Sequence, residues 1–237
     1  MIDIVPRTAI IIGASSGIGE ALARRLAAEG WRLGLMARRL DRLNALAAEM
    51  NAVAAPIDLD DAAAARQALA ALLDRLGGAG LVVLSAGTGH LNPALDWAPE
   101  RETIAVNALG FAAVAQVAMT HFLARGSGHL VGISSVAKLR GSGGAPAYAA
   151  SKAFVSTYLD GLRDLAKRRG LPIAVTEIAP GFVDTAMMKA DRPFWVATPA
   201  KAAAQIHAAI RRRARHAYVT RRWGLIGFLL RRLPAPG

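Results

Sequence analysis

Ile10-Ile11-Ile12-Gly13-Ala14-Ser15-Ser16-Gly17-Ile18-Gly19 sets three glycines, spaced G-x-x-x-G-x-G, between an apolar run and an Ala- and Leu-rich stretch. Thr8–Ile12 reads as a buried strand, and Gly17–Glu29 has the apolar spacing of a helix that packs along one face. Glycine permits the tight turn between them and removes side chains that would hold a phosphate away from the backbone. The helix that starts there offers unpaired N–H groups and a partial positive charge, a combination suited to a pyrophosphate. Taken alone, the pattern also describes an ordinary tight strand-to-helix turn, so its meaning depends on the rest of the chain.

Outward from this stretch, short apolar runs recur at Arg32–Ala37, Ala52–Ile57, Leu81–Ser85, His129–Ser134, Ile173–Ala179 and Ala217–Thr220. Longer segments with helical spacing lie between them, at Leu40–Met50, Asp60–Leu76, Pro99–Arg125, Pro146–Arg169 and Pro199–Arg213. Strand and helix alternate, and neighbouring parallel strands need a crossover that a helix usually supplies. The expected fold is therefore α/β: a doubly wound three-layer α/β/α sandwich around a parallel sheet of about seven strands, a Rossmann fold. In such sheets ligands bind outside the carboxyl ends of the strands. That places the Gly-rich segment Leu139–Pro146 and the Met- and aromatic-bearing segment Phe182–Pro199 at the expected site.

The chain has 237 residues, 54% of them apolar and only 5% aromatic, which fits one large domain with a core of Ala, Val, Leu and Ile. Residues 1–220 read as this domain, including the loop 182–199, and residues 221–237 as a basic and apolar extension. There is no cysteine, which excludes disulfides and thiolate metal sites and fits a reducing compartment, so the cytoplasm is expected. Met1–Arg7 lacks the pattern of a secretory signal, and no stretch reads as the roughly 18 apolar residues of a spanning helix. The net charge of +12 is local, because residues 192–237 hold ten Lys or Arg and no Asp or Glu.

Two further constellations bear on chemistry. The second strand ends in Arg38-Arg39, where a dinucleotide site meets the adenosine ribose. Guanidiniums there suit a 2′-phosphate and leave no carboxylate for a free 2′-hydroxyl, so NADP(H) is favoured over NAD(H). Tyr148 and Lys152 lie four apart in a predicted helix, one turn apart on one face. An ammonium held beside a phenol lowers its pKa from about 10 and fits it for proton transfer near neutral pH. Ser134-Ser135 closes the fifth strand thirteen residues earlier, and a hydroxyl there can bind a carbonyl oxygen on which charge develops. Asn107 sits inside the apolar stretch Ile104–Gly110, a poor place for an amide unless it is partnered or shapes the backbone.

Taken together, these residues resemble the short-chain dehydrogenase/reductase family over residues 7 to 220. Gly13, Gly17 and Gly19 match its cofactor glycines, and Asn107, Ser135, Tyr148 and Lys152 match its catalytic tetrad in order and spacing. The resemblance implies hydride transfer between a nicotinamide and a carbonyl or secondary alcohol. Tyr148 would be the acid or base and Ser135 would orient the substrate oxygen, while Lys152 tunes the phenol and holds the nicotinamide ribose and Asn107 supports a water relay. It further implies cofactor contacts at Gly13, Ser15, Ser16, Gly17, Ile18, Gly19, Arg38, Arg39, Asp58, Leu59, Ala86, Gly87, Tyr148, Lys152, Pro180, Gly181, Val183 and Thr185. Asp58 can also be read as a cap for the following helix. Two positions depart from the family pattern: Leu84-Ser85-Ala86-Gly87 stands for the usual Asn-Asn-Ala-Gly, and Ile12 for a threonine.

The resemblance implies a homodimer or homotetramer, commonly built from the helices that carry Asn107 and Tyr148. A dinucleotide-binding regulatory or scaffold protein with little turnover is the competing class. In the extension, Arg221-Arg222 and Arg231-Arg232 bracket Trp-Gly-Leu-Ile-Gly-Phe-Leu-Leu. Trp223, Leu225, Phe228 and Leu229 covering the cleft or a subunit interface is the favoured reading, with peripheral membrane contact through residues 221–232 as the alternative. No stacking aromatics interleave the cations, so nucleic acid is not expected. The histidines at 90, 121, 129, 207 and 216 have no shared metal spacing, so no metal is expected.

Overall fold

Strand β1 (Thr8–Ile12) is buried at every position, as a strand covered on both faces must be. β2 (Arg32–Ala37), β3 (Val53–Pro56), β4 (Leu81–Leu84), β5 (Gly128–Ile133), β6 (Ile173–Pro180) and β7 (His216–Val219) complete one sheet. Its order is β3-β2-β1-β4-β5-β6-β7, with every pairing parallel. The computed structural model describes residues 7–189 and 193–230. The expected doubly wound sandwich, with its seven strands, is the fold found.

Two apolar layers flank the sheet. Helices α1 (Gly17–Ala28), α2 (Leu40–Met50) and α7 (Pro199–Arg211) bury Leu22, Leu26, Leu43, Leu46 and Ile206 against one face. Helices α3 (Ala62–Leu76), α5 (Phe111–Arg125) and α6 (Pro146–Arg168) bury Leu69, Leu72, Phe111, Phe122, Val155 and Leu159 against the other. The winding reverses between β1 and β4, so the loops after those two strands flank the switch point where ligands bind.

The predicted helix Pro99–Arg125 differs in detail. It begins two residues earlier, as α4 (Trp97–Ile104), and a π-helical turn (Ala105–Gly110) joins it to α5. At the end of this turn the helix meets the β3–α3 turn backbone to backbone, since a Cβ on Gly110 would stand 2.1 Å from the Leu59 carbonyl oxygen. By length and composition Trp97–Arg125 is apolar enough to span a bilayer, with mean hydropathy 1.5, contrary to the sequence reading. Half of that apolar window is buried inside the fold, where Val114, Ala118 and Phe122 cover the sheet.

The start of α3 also moves. Asp61 caps it by accepting the Ala64 N–H at 3.0 Å, whereas Asp58 accepts the Asp60 N–H in the preceding turn. Asp58 is therefore not the helix cap. Helix α8 (Trp223–Leu230) follows β7 and buries Trp223.

Candidate active site

The glycine turn is shaped by contacts that exclude side chains. Gly13 has φ +90°, and a Cβ there would lie 2.5 Å from the Ala86 nitrogen, so β1 and the loop after β4 touch through backbone alone. A Cβ on Gly19 would fall 2.1 Å from the Gly13 carbonyl oxygen, which folds the first turn of α1 tightly under the loop. Ser16 precedes α1 and makes no side-chain cap, leaving the early N–H groups of the helix without a side-chain acceptor. Arg39, from the end of β2, donates Nη2 to the hydroxyls of Ser15 at 3.2 Å and Ser16 at 2.7 Å. It therefore reaches over the glycine turn and does more than solvate the start of α2. Arg38 lines a cleft of about 340 Å³ with Asp58, Asp60, His90, Arg101 and Glu102. These residues fit a dinucleotide: a backbone cradle without side chains, a helix N-terminus and two arginines just beyond β2.

Asn107 stands inside the π turn with only 2% of its surface exposed, and its amide is partnered, the first of the two reasons suggested for an amide there. Its Oδ1 accepts the Thr88 N–H at 2.9 Å, and its Nδ2 donates to the Thr88 carbonyl at 2.7 Å and to Ser151 Oγ at 3.1 Å. The amide thereby fixes the strand-like segment Gly87–Gly89 against α6. Glycines there make room for the neighbours: a Cβ on Gly89 would lie 2.8 Å from the Tyr148 ring, and one on Gly87 would lie 3.3 Å from Lys152 Nζ.

Ser135 lies two residues beyond β5, caps the 3₁₀ turn Val136–Leu139 and accepts the Ala137 N–H at 3.1 Å. Its hydroxyl stands 3.5 Å from the Pro180 carbonyl, too long a bond to hold the proton firmly. The same hydroxyl lies by the Tyr148 phenol and favours its ionised form. Lys152 is buried, donates to the Ile133 carbonyl at 3.3 Å and places Nζ 5.6 Å from the centroid of the Tyr148 ring. Asn107, Ser135, Tyr148 and Lys152 are thus brought together at the carboxyl ends of β4 and β5, beside the glycine turn.

The electrostatics differ from the sequence expectation. Burial raises the Tyr148 phenol above its ordinary pKa, and the neighbouring Ser135 hydroxyl offsets part of that rise. Burial also lowers Lys152 to about 8, so the nearby ammonium does not outweigh the phenol's desolvation. Spacing along a helix predicted that the two would meet, but the depth at which they meet is a tertiary property.

On the far side of the site, a Cβ on Gly17 would lie 2.9 Å from the Thr185 methyl, so the loop after β6 closes onto the glycine turn. Pro180 ends β6, and Val183 bridges to Ala197 at the base of the loop. Gly181 lies under Trp223, where a Cβ would stand 2.0 Å from Nε1. The Trp223 ring packs 5.7 Å from Phe182, 5.0 Å from Phe194 and 5.7 Å from Trp195. The extension therefore covers the base of the predicted substrate loop through Trp223. Leu225 is 65% exposed and does not join that packing. Arg231-Arg232 and the side chains of Phe228 and Leu229 lie outside the described residues.

Several residues that shape the site escaped the sequence reading. Glu100 accepts the Ala147 N–H at 3.1 Å and the Asn92 amide at 2.9 Å, which ties α4 and the loop after β4 to the start of α6. Thr88, Gly89 and Ser151 hold Asn107 and Tyr148 in place. Only the run Gly87-Thr88-Gly89 carried a local signal, a pair of glycines just beyond a strand. The five histidines have separate partners, respectively Glu102, Ala79, Thr176, Glu29 and Glu177. Among the described residues no group of three metal-ligating side chains forms.

A doubly wound parallel sheet, a glycine turn at its switch point and a serine, tyrosine and lysine gathered beside that turn define a Rossmann-type dinucleotide fold of the oxidoreductase class. The model of the short chain dehydrogenase family matches residues 7–194, and the chain belongs to that family. An "uncharacterized oxidoreductase" of Myxococcus xanthus is 43% identical over 191 residues, covering 77% of this chain and 74% of that protein. One from Mycobacterium tuberculosis is 39% identical over 189 residues, covering 75% and 74%. Among solved structures, a short-chain dehydrogenase from Sphingobium yanoikuyae in complex with NADPH superposes with TM-score 0.80 at 26% identity over 98% of both chains. An alcohol dehydrogenase from the archaeon Thermococcus sibiricus, complexed with 5-hydroxy-NADP, gives TM-score 0.78 at 25% identity over 90% of this chain and 95% of that one.

Proposed function

We propose that this oxidoreductase uses NADP(H) to interconvert a carbonyl and a secondary alcohol, with Tyr148 transferring the proton. The observation that carries this reading is Lys152, buried with Nζ 5.6 Å from the centroid of the Tyr148 ring, where the Ser135 hydroxyl also acts on the phenol. When bound, the nicotinamide supplies the hydride. Ser135 holds the substrate oxygen through its loosely engaged hydroxyl, and Tyr148 gives that oxygen a proton or takes one from it. The buried phenol keeps its proton at neutral pH, which suits donation to a carbonyl. Lys152 holds the cofactor ribose and supplies the positive charge that favours a phenolate, and Asn107 supports a water through which the proton is replaced.

Arg39 bridging Ser15 and Ser16, with Arg38 beside it and no acid at the end of β2, supports NADP(H) over NAD(H). The Sphingobium and Thermococcus neighbours, both solved with NADP-type ligands, support the same choice. Leu91, Leu95, Trp97, Met187, Phe194 and Trp195 are exposed on loops and helix starts beyond β4 and β6, which suits an apolar substrate. Exposed Ile104, Leu109 and Phe154 on α4, the π turn and α6 suit the homodimer or homotetramer usual for the family. The cytoplasm is the proposed compartment.

A panel of aldehydes, ketones and secondary alcohols, assayed by nicotinamide absorbance with NADPH and NADH in parallel, tests reaction and cofactor together. Tyr148→Phe is expected to lower turnover by roughly 10²- to 10⁴-fold while leaving NADPH affinity nearly unchanged. Undiminished turnover in that variant removes Tyr148 from the mechanism.

A further inference from the structure

Behind the Ser135–Tyr148 pair lies a second polar cluster that the proposed mechanism does not use. Lys138 sits on the 3₁₀ turn Val136–Leu139, three residues after Ser135, and Glu177 sits on β6. Their side chains are only 4% and 5% exposed. Lys138 Nζ donates to Glu177 Oε1 at 2.5 Å and to Ser156 Oγ at 2.9 Å. The same carboxylate oxygen takes the Ser134 hydroxyl at 2.5 Å, and Oε2 pairs with His216 Nδ1 at 3.0 Å. Burial pushes the Glu177 carboxyl up, but hydrogen bonds from His216, Lys138 and Ser134 together outweigh it and hold the group at about 2.

What this cluster connects is specific. Tyr148, Lys152 and Ser156 stand at successive turns of α6 and form one ridge. Lys138 grips the last member of that ridge, while its ion-pair partner grips Ser134, the residue before Ser135. One ammonium therefore spans the turn that carries Ser135 and the helix that carries Tyr148 and Lys152. A buried ion pair is a poor source of stability, because each charge costs several kcal/mol to desolvate and apolar residues of equal volume often do as well. What directional charge-assisted bonds provide, and an apolar contact does not, is a fixed angle between the elements they join.

We propose that Lys138, anchored by Glu177, is a positioning residue that sets the Ser135 hydroxyl against the Tyr148 phenol. The proposal rests on the reading of Tyr148 as the proton-transferring group. Loss of the strut would let the Ser135 hydroxyl draw away from the phenol, and since Ser135 lowers the phenol's pKa, its withdrawal raises it.

The test incorporates 3-fluorotyrosine at the three tyrosines and follows each phenol by fluorine NMR as pH is raised, with assignments from single Tyr→Phe variants. The fluorine acidifies the phenols and brings their titration closer to neutral pH. Three variants are compared with the parent: Lys138→Met, Glu177→Gln and Ser156→Ala. A through-space charge effect would raise the Tyr148 midpoint in Lys138→Met and lower it in Glu177→Gln. Loss of positioning raises it in both, raises it less in the charge-neutral Ser156→Ala, and leaves Tyr158 unmoved. Turnover is expected to fall by roughly ten- to a hundredfold in the first two, with the KM for NADPH unchanged.

A Tyr148 midpoint that stays in place or falls in a folded Glu177→Gln variant overturns the proposal. Should the buried-pair variants fail to fold, Ser156→Ala decides by the same criterion, and an unmoved Tyr148 there overturns it. A protein that shows the NMR shifts but turns over no carbonyl or alcohol in the panel would sink the enzymatic reading and leave the positioning intact.

Discussion

Arg39 is the side chain at which the proposed preference for NADP(H) can be tested. Its guanidinium already bridges two hydroxyls at the glycine turn, so an anion arriving there meets donors whose direction is set. A charge-assisted hydrogen bond contributes about 1.5–3 kcal/mol, and about 1.4 kcal/mol is tenfold in affinity. Arg39→Ala is therefore expected to weaken NADPH binding by roughly ten- to a hundredfold and to leave NADH binding within about twofold, measured by nucleotide fluorescence titration. Equal losses for both nucleotides would assign Arg39 to the pyrophosphate or to the loop itself, and NADP selectivity would have to come from elsewhere. Tyr148 teaches the opposite lesson at the same scale. Spacing alone brought Lys152 to it, but the direction of its pKa depended on how deeply both groups are buried, which no pair of positions encodes.

At the scale of elements, the strands and helices were legible because apolar runs, helical periodicity and glycine punctuation agree with one another along this chain. The π turn was not, because Ala105-Val-Asn-Ala-Leu-Gly110 contains nothing that distinguishes it from ordinary helix. The contact that marks it off is remote in sequence, with the Leu59 carbonyl lying where a Cβ on Gly110 would fall. Gly110→Ala makes the competition measurable. Alanine favours a helix interior over glycine by about 1 kcal/mol, so a loose contact would let the variant gain stability. A Cβ there would stand 2.1 Å from the Leu59 carbonyl oxygen, which predicts the reverse sign. Forcing a methyl into such a contact costs about 1–3 kcal/mol, a fall in Tm on the order of 5 °C for a domain of this size. Calorimetry of the variant checks it, and a raised Tm would show that helix and loop can part without cost. That Asn107, Ser135, Tyr148 and Lys152 would be near one another was legible for a different reason: their spacing is in the sequence whatever packs behind them, whereas Lys138, Glu177 and Glu100 act through partners 39 to 47 residues away.

For the molecule as a whole, the question is whether the extension beyond β7 belongs to the fold or merely follows it. Composition could not decide, because an apolar segment between paired arginines suits a membrane surface as well as a packed interior. The distinguishing observation is Trp223, buried over Gly181 and ringed by Phe182, Phe194 and Trp195, while Arg221 and Arg222 stay in solvent. The extension thereby ties the end of the chain to the loop that would meet substrate. Trp→Ala in a packed core costs about 3–5 kcal/mol, and Trp223 should fall near the lower figure because its indole N–H is buried without a partner. Trp223→Ala is accordingly expected to lose about 3 kcal/mol in denaturant unfolding. Protease should also cut between residues 182 and 199 well before the rest of the chain, since the aromatic rings there lose the surface they pack on. A variant that unfolds with the parent and resists cleavage at that loop would place Trp223 outside the core and return the extension to a role in contacts with a membrane or a second subunit.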